Sequence, residues 1–273
     1  MEPATRHWKT KQRRQARRVI GSMVYPALSG IGGLIVWQAV VRFFNVPTYL
    51  LPAPTDVAVA LVDYWGMLIG QMGFTALAAA SGFAIALVLG IAAAGAITAS
   101  HAVDRMLYPW LVVSHAVPKV VIAPLFIVWL GFGLKSEVIF VVIFTFFPIV
   151  VNTVTGLKSA DPDLLLLVRS MEAKPLKILW KVRIPGALPH IFAGVKISAT
   201  LAPVGAVIGE FVASNQGLGH MLLQAVGNLE TEVAFAAVFL ISMFGIAIWY
   251  VAELAERLAI PWHASQRETI AGK

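Results

Sequence analysis

Long apolar runs separated by short polar connections dominate the chain. Six apolar segments lie near 20–44, 72–99, 106–130, 138–157, 188–212 and 233–257. Each is close to the roughly 20 residues that a helix needs to cross a bilayer. The pattern predicts an all-α, polytopic membrane protein with about six transmembrane helices. Its expected parts are a basic tail over 1–19, a membrane domain over 20–262 that carries a charged loop at 158–187, and a second tail over 263–273. The first run, from about Val19 to Phe44, exceeds the roughly 7–15 apolar residues of a signal peptide and reads as a retained span.

Composition agrees with this reading. Apolar residues make up 59% of the chain and charged residues 13%, against about 25% charged in soluble domains. The net charge of +7 raises the question of nucleic acid, but the places of the charges answer it. Seven of the 21 Lys and Arg lie between Arg6 and Arg18, directly before the first span. The loop 158–187 carries six more: Lys158, Arg169, Lys174, Lys177, Lys181 and Arg183. Segments 46–71 and 213–232 carry none. Arg105 and Arg257 fall on the side of the N-terminus, and Lys135 on the other. The positive-inside rule then places both termini in the cytoplasm, with the basic tail against anionic lipid headgroups and no nucleic-acid partner expected.

No cysteine is present, and the six histidines are scattered. No metal-ligand spacing and no pair of carboxylates within one span appears, so metal, cofactor and catalytic residues are not expected. This weighs against a membrane enzyme.

Two spans carry small residues every fourth position. These are Ala78, Gly82, Ala86, Gly90 and Ala94 in the second, and Gly194, Ser198, Ala202 and Ala206 in the fifth. Such ridges let helix backbones approach closely, either in fixed packing or as surfaces that slide. Pro118, Pro124, Pro148 and Pro203 fall inside spans and can kink or break them. Pro118 and Pro124 bracket Lys119, an ionisable group at membrane depth and so a functional candidate, unless it snorkels or pairs with a carboxylate. In the stretch LPAPTD, Thr55 or Asp56 is expected to cap a short helix over 56–65.

The loop KSADPDLLLLVRSMEAKPLKILWKVRIPGALP is unusually elaborate for a connection between spans. Asp161-Pro162-Asp163 signals a helix start. Leu164, Leu167, Val168 and Met171 then form one apolar stripe at helical spacing. That stripe must be covered either by the chain's own helices or by a groove on a partner. A break near Glu172–Lys174 follows. Pro175 opens a second helix with Lys177, Lys181 and Arg183 on its basic face, and Pro185 and Pro189 are expected to end it.

This loop, with LPAPTDV, VPKVVIAPLFIVWLGFG, FFPIVVNTVTGLKS and GAVIGEFVASNQGLG in the expected order over about 45–262, resembles the permease subunits of ATP-binding-cassette importers. It is most similar to the nitrate/sulfonate/taurine-like branch. Within that branch, VRSM and VGAVIGEF are similar to permeases for pyrimidine thiamine-precursors and riboflavin. The family's loop motif is Glu-Ala-Ala, three residues, Gly, nine residues, Ile, any residue, Leu-Pro. Anchored on Ile184-Pro185, it puts Glu172 at the glycine and Leu166, Leu167 and Val168 at Glu-Ala-Ala. A glycine there commonly takes φ > 0, at roughly 1 kcal/mol for a residue with a Cβ, so a turn of different build is expected.

The resemblance implies a type I importer fold, two ATPase subunits, an extracytoplasmic solute-binding protein, a second permease copy, and a bacterial inner-membrane location. It implies that Leu164, Leu167, Val168, Met171, Glu172, Ala173 and Pro175 couple to the ATPase. The chain has no Walker A loop of its own. Candidates for the translocation path are Lys119, Asn152 and Glu210. Glu210 is expected at the outer end of the fifth span as a gate, a partner of a basic group, or a carboxylate at the lipid boundary. Phe146, Phe147 and Trp129 are read as packing or interface anchors rather than ligand platforms. An ATP-independent secondary transporter or channel is the alternative, and it leaves the elaborate loop unexplained.

Overall fold

A computed structural model describes Tyr25 and residues 27–261. The basic tail, the C-terminal tail and the first residues of the first expected span lie outside the described residues. The helices are α1 (Ala27–Phe43), α2 (Pro54–Asp63), α3 (Trp65–Ala99), α4 (His101–Ala116), α5 (Ala123–Leu130), α6 (Leu134–Lys158), α7 (Pro162–Ser170), α8 (Pro175–Ile178), α9 (Ile184–Ala213), α10 (Leu218–Gly227) and α11 (Thr231–Ala259). The described residues contain no strand. Helix α3, helix α6, the run Pro175–Ala213 and helix α11 are each long and apolar enough to cross a membrane, and Ala27–Phe43 and Lys119–Leu130 are shorter apolar helical stretches.

Helix α6 is the centre of the bundle, gripped between α3 and α9. Both small-residue ridges face it, and every member of each is buried. A Cβ on Gly82 would run into the Val141 side chain and stand 2.8 Å from the Val138 carbonyl oxygen. On α9, a Cβ on Gly194 would stand 2.8 Å from Asn152 Cβ, and one on Gly209 would stand 2.8 Å from Glu137 Cα. Ser198 Oγ donates to the Thr145 carbonyl at 2.7 Å. In this conformation the ridges are packing surfaces. Close backbone approach replaces the hydrophobic driving force that lipid does not supply.

The expected continuous third span is not one helix. Helix α4 stops at Ala116, Val117 turns extended (ψ 126°), and a short 3-10 turn over Lys119–Ile122 leads into α5. Pro118 disfavours helical backbone at Val117 and offers no N–H, so the break falls where the chemistry demands it. Pro124 sits in the first turn of α5, where a missing N–H costs nothing. By contrast Pro148 and Pro203 lie inside helices that continue through them.

At the end remote from the basic loop, α2, α10 and the starts of α3 and α11 bury a shared cluster that includes Leu68, Leu218, Met221 and Ala237. Helix α1 joins this end from the side. Arg42 Nη2 donates to Asp56 Oδ1 at 2.6 Å, Gln38 donates to Thr55 Oγ1 at 3.1 Å, and Trp37 stacks near Phe235. Helix α2 begins at Pro54, two residues before the expected start. Thr55 and Asp56 therefore lie in its first turn, and Asp56 reaches back to the Ala53 N–H at 3.2 Å. Helix α10 lies within 213–232, between the fifth and sixth apolar runs.

Candidate coupling surface and translocation path

At the basic end, Asp161 caps α7 by accepting the Asp163 N–H at 2.8 Å, as the Asp-Pro-Asp signal requires. The helix buries none of its residues fully. Leu165 and Val168 are half-buried toward the bundle. Leu164, Leu166, Leu167 and Met171 face out, with Leu167 59% and Met171 74% exposed. Three of the four stripe residues are thus left uncovered by the chain's own helices, and Val168 is the one turned partly inward.

The break after α7 is built on Glu172, which takes φ +53°, the left-handed conformation that favours glycine. The expectation of a differently built turn is corrected here, because the glutamate adopts the strained conformation itself. Backbone bonds hold it, with Glu172 N–H on the Arg169 carbonyl at 2.9 Å and Ala173 N–H on the Val168 carbonyl at 3.4 Å. Pro175 opens α8 as expected. Pro185 and Pro189 do not end that helix. A π-helical turn over Leu179–Arg183 carries it straight into α9, where Pro185 occupies the first turn and Pro189 lies inside. The wider turn accommodates the proline ring and the lost donor without a break. Helix α8 is therefore continuous, through the π-helical turn, with α9, and together they form the longest apolar run among the described residues.

The three path candidates are not brought together. Lys119 lies on the 3-10 turn between α4 and α5, with Nζ 4.8 Å from the Phe147 ring centre and 5.6 Å from that of Phe144. Two phenyl faces, rather than a carboxylate, are its recorded neighbours. Phe147 is thus more than packing, while Phe146 packs into the cluster of Ala94, Ile97, Val150 and Val154. Trp129 stacks edge-on with Phe126 and is largely exposed. Asn152 Nδ2 donates to the Pro148 carbonyl of its own helix at 2.8 Å, at the place where Gly194 of α9 crosses.

Glu210 has no basic partner among the described residues and does not sit at a lipid boundary. It is fully buried, and its Oε2 accepts the Gly219 N–H at 2.6 Å. The neighbouring Gly217 and Leu218 N–H groups donate to Gln71 Oε1 at 2.6 Å and Thr75 Oγ1 at 2.9 Å. Three side chains from α3 and α9 thereby satisfy the open donors at the start of α10 and place a carboxylate at its positive end. Gly217, at φ +98°, and Gly219 leave room for that carboxylate.

Sequence reasoning also missed an ionic cluster between α9 and α11. Lys196 Nζ lies 3.0 Å from Glu253 Oε2 and 2.5 Å from Glu256 Oε2, and Arg257 Nε lies 3.1 Å from Glu253 Oε1. The available signals were a lysine set inside an apolar run and Glu253 and Glu256 three residues apart in the sixth apolar run, which corrects the expectation of no carboxylate pair within one span. At the basic end Lys158 reaches Asp104 at 2.5 Å and ties α6 to α4.

The sequence profile of the family described as "Binding-protein-dependent transport system inner membrane component" matches residues 86–261. The formylaminopyrimidine transport permease protein ThiX of Halalkalibacterium halodurans is 32% identical over 88% of this chain and 96% of its own length. The riboflavin transport system permease protein RibX of Chloroflexus aurantiacus is 35% identical over 85% of this chain and 87% of its own. Permeases named for aliphatic sulfonates and taurine also match. Among solved structures, a chain of the MetNI methionine ABC transporter in an inward-facing conformation superposes with a TM-score of 0.56 at 20% identity, covering 70% of this chain and 93% of that one. Together with the four described helices that are long and apolar enough to cross a membrane, these likenesses show that the chain belongs to the family of binding-protein-dependent transport system inner membrane components and is a multi-pass permease subunit of an ABC importer of the sulfonate/taurine-like branch.

Proposed function

We propose that two copies of this chain form the translocation unit of an importer whose solute is delivered by an extracytoplasmic binding protein and whose ATP is hydrolysed by ATPase subunits docked on α7. The observation that carries the proposal is the uncovered apolar face of Leu164, Leu167 and Met171 on a short helix joined, through the turn at Glu172, α8 and the π-helical turn, to α9. A short amphipathic helix with one open face suits a groove on a partner. Glu172, Ala173 and Pro175 form the turn that sets its angle. ATP-driven closure of the partner then tilts α9 as a lever, and ATP and solute bias two arrangements of the bundle. The basic end faces the cytoplasm, with both termini there, as the distribution of Lys and Arg supports.

Among the path candidates Lys119 is favoured. It offers a positive charge beside the rings of Phe144 and Phe147, at a break in the helix where irregular backbone at membrane depth is tolerated if it borders protein or a cavity. Charge and ring faces together suit a small anionic or heteroaromatic solute. The relatives named for a formylaminopyrimidine, riboflavin and aliphatic sulfonates fall in these classes. Asn152 and Glu210 take the structural roles described above.

The test is gentle detergent extraction from native membranes, with mass spectrometry of what co-purifies and measurement of uptake in proteoliposomes. An ATPase, a solute-binding protein and two copies of this chain are expected, with uptake dependent on ATP and slowed by Lys119→Met. Recovery of the chain alone, with uptake indifferent to ATP, would leave a secondary transporter as the reading.

A further inference from the structure

Beside α7 lies a cavity of about 390 Å³ that shares Ala173 and Pro175 with the coupling turn and is otherwise lined by residues outside the coupling face. One wall is the end of α3, at Thr98 and Ala99. The other comes from the loop, with Arg169 of α7, Leu176 of α8 and Arg183 of the π-helical turn. The two arginines reach it from different elements. Among the described residues the recorded ion pairs involve Arg42, Lys158, Lys196 and Arg257, and neither Arg169 nor Arg183 has a carboxylate partner. Between 169 and 183 the chain carries five Lys and Arg, namely Arg169, Lys174, Lys177, Lys181 and Arg183, against the single acid Glu172. The local field therefore favours an anion.

Position narrows the ligand further. The cavity borders the last turn of α3, a helix long and apolar enough to cross a membrane, at the end of the bundle where the basic loop lies. Trp180, on the same π-helical turn as Arg183, is 63% exposed. Exposed tryptophan collects at the level of lipid headgroups. Guanidinium forks match phosphate oxygens, and basic pockets between membrane helices on the cytoplasmic side hold anionic headgroups. A π-helical turn is rare and frequently marks a functional site. Here Arg183 is its last residue.

We propose that this cavity binds a phosphate group presented by an anionic phospholipid of the cytoplasmic leaflet, with Arg169 and Arg183 as its two ligands. The lipid ties α7 to the end of α3 and holds the coupling helix at its angle while leaving the Leu167 and Met171 face open. The leaflet assignment rests on the orientation proposed above.

The importer complex, permease with its ATPase, is purified in mild detergent with mixed phosphatidylglycerol and phosphatidylcholine, and bound lipid is counted by native mass spectrometry. The wild-type complex is expected to retain phosphatidylglycerol in preference. The R169Q/R183Q variant is expected to retain at least fivefold less while still holding the ATPase. Equal retention of the two lipids, or equal retention by variant and wild type, overturns the proposal. Displacement of the lipid by millimolar inorganic phosphate overturns the lipid assignment in favour of a soluble anion. Loss of the ATPase with phosphatidylglycerol retained assigns the arginines to the partner and likewise overturns it. A headgroup-photoactivatable phosphatidylglycerol on the wild-type complex gives a test independent of variant folding. Its cross-links are expected within 95–99 and 169–183, and cross-links confined elsewhere refute the site. Lipid retention is read whichever way the protein faces, so failure here and failure of the orientation are separate results.

Discussion

Replacing Leu167 and Met171 by aspartate tests the coupling surface most directly. Full burial of a Leu or Met side chain is worth about 1.5–3 kcal/mol. In this chain Leu167 is 59% and Met171 74% exposed, so a partner's groove has more than half of each left to bury. That amounts to about 1–2 kcal/mol apiece, or about 2–4 kcal/mol for the pair, a roughly 30- to 1,000-fold loss of affinity at 1.4 kcal/mol per tenfold. A carboxylate held against an apolar wall adds to the loss. The assay is titration of the ATPase subunit onto detergent-solubilised permease carrying Leu167→Asp, Met171→Asp or both. Permease levels in the membrane are expected to stay constant, because neither side chain is buried within the chain. Leu165→Asp, on the half-buried face of the same helix, is expected to act oppositely, lowering permease stability. Unchanged ATPase affinity in the double variant would refute the reasoning, as would loss of that variant from the membrane.

Three further outcomes follow from packing and charge. Gly82→Val forces a side chain into Val141 and the Val138 carbonyl and is expected to cost at least about 1–3 kcal/mol, whereas Gly70→Val on the same helix, with nothing within 4 Å, is expected to leave the melting temperature in detergent nearly unchanged. Glu210→Ala strands the Gly219 N–H and is expected to cost about 1–3 kcal/mol, while Glu210→Gln keeps an acceptor and loses less; equal melting shifts for the two would contradict the assigned bond. Lys196→Met leaves Glu256 without a cation and Glu253 with Arg257 alone, at an expected cost of up to about 3 kcal/mol, and adding Glu253→Leu and Glu256→Leu is expected to recover most of it in the same melting experiment.

The helical class and most of the spans were legible because apolar length is a local property. A run such as 138–157 has few ways to satisfy its backbone in lipid except as a helix, and α6 covers Leu134–Lys158. Caps and breaks encoded in neighbouring residues were legible for the same reason. Asp161 starts α7, Pro118 interrupts the third span, Pro124 sits in the first turn of α5, and Pro175 opens α8. The proline rule failed at Pro185 and Pro189. Whether a proline ends a helix depends on whether a wider turn is available to absorb it, and that turn depends on how the loop packs.

What the sequence by itself determined is the set of elements that follow from short-range chemistry: apolar runs of bilayer length, the concentration of charge at one end, the ridges of small residues, and the stripe on α7. The tertiary structure alone decided what those elements meet. It made α6 the helix that both ridges grip, and it turned Glu210 inward to hold the start of α10, 9 residues away along the chain but set by Gln71 and Thr75 from more than 140 residues away. It brought Lys196 to Glu253 and Glu256, and it set Lys119 over Phe144 and Phe147. Each of these depends on which faces of two distant helices come into register. That is fixed by the combined packing of many side chains, and no window of neighbouring residues contains it.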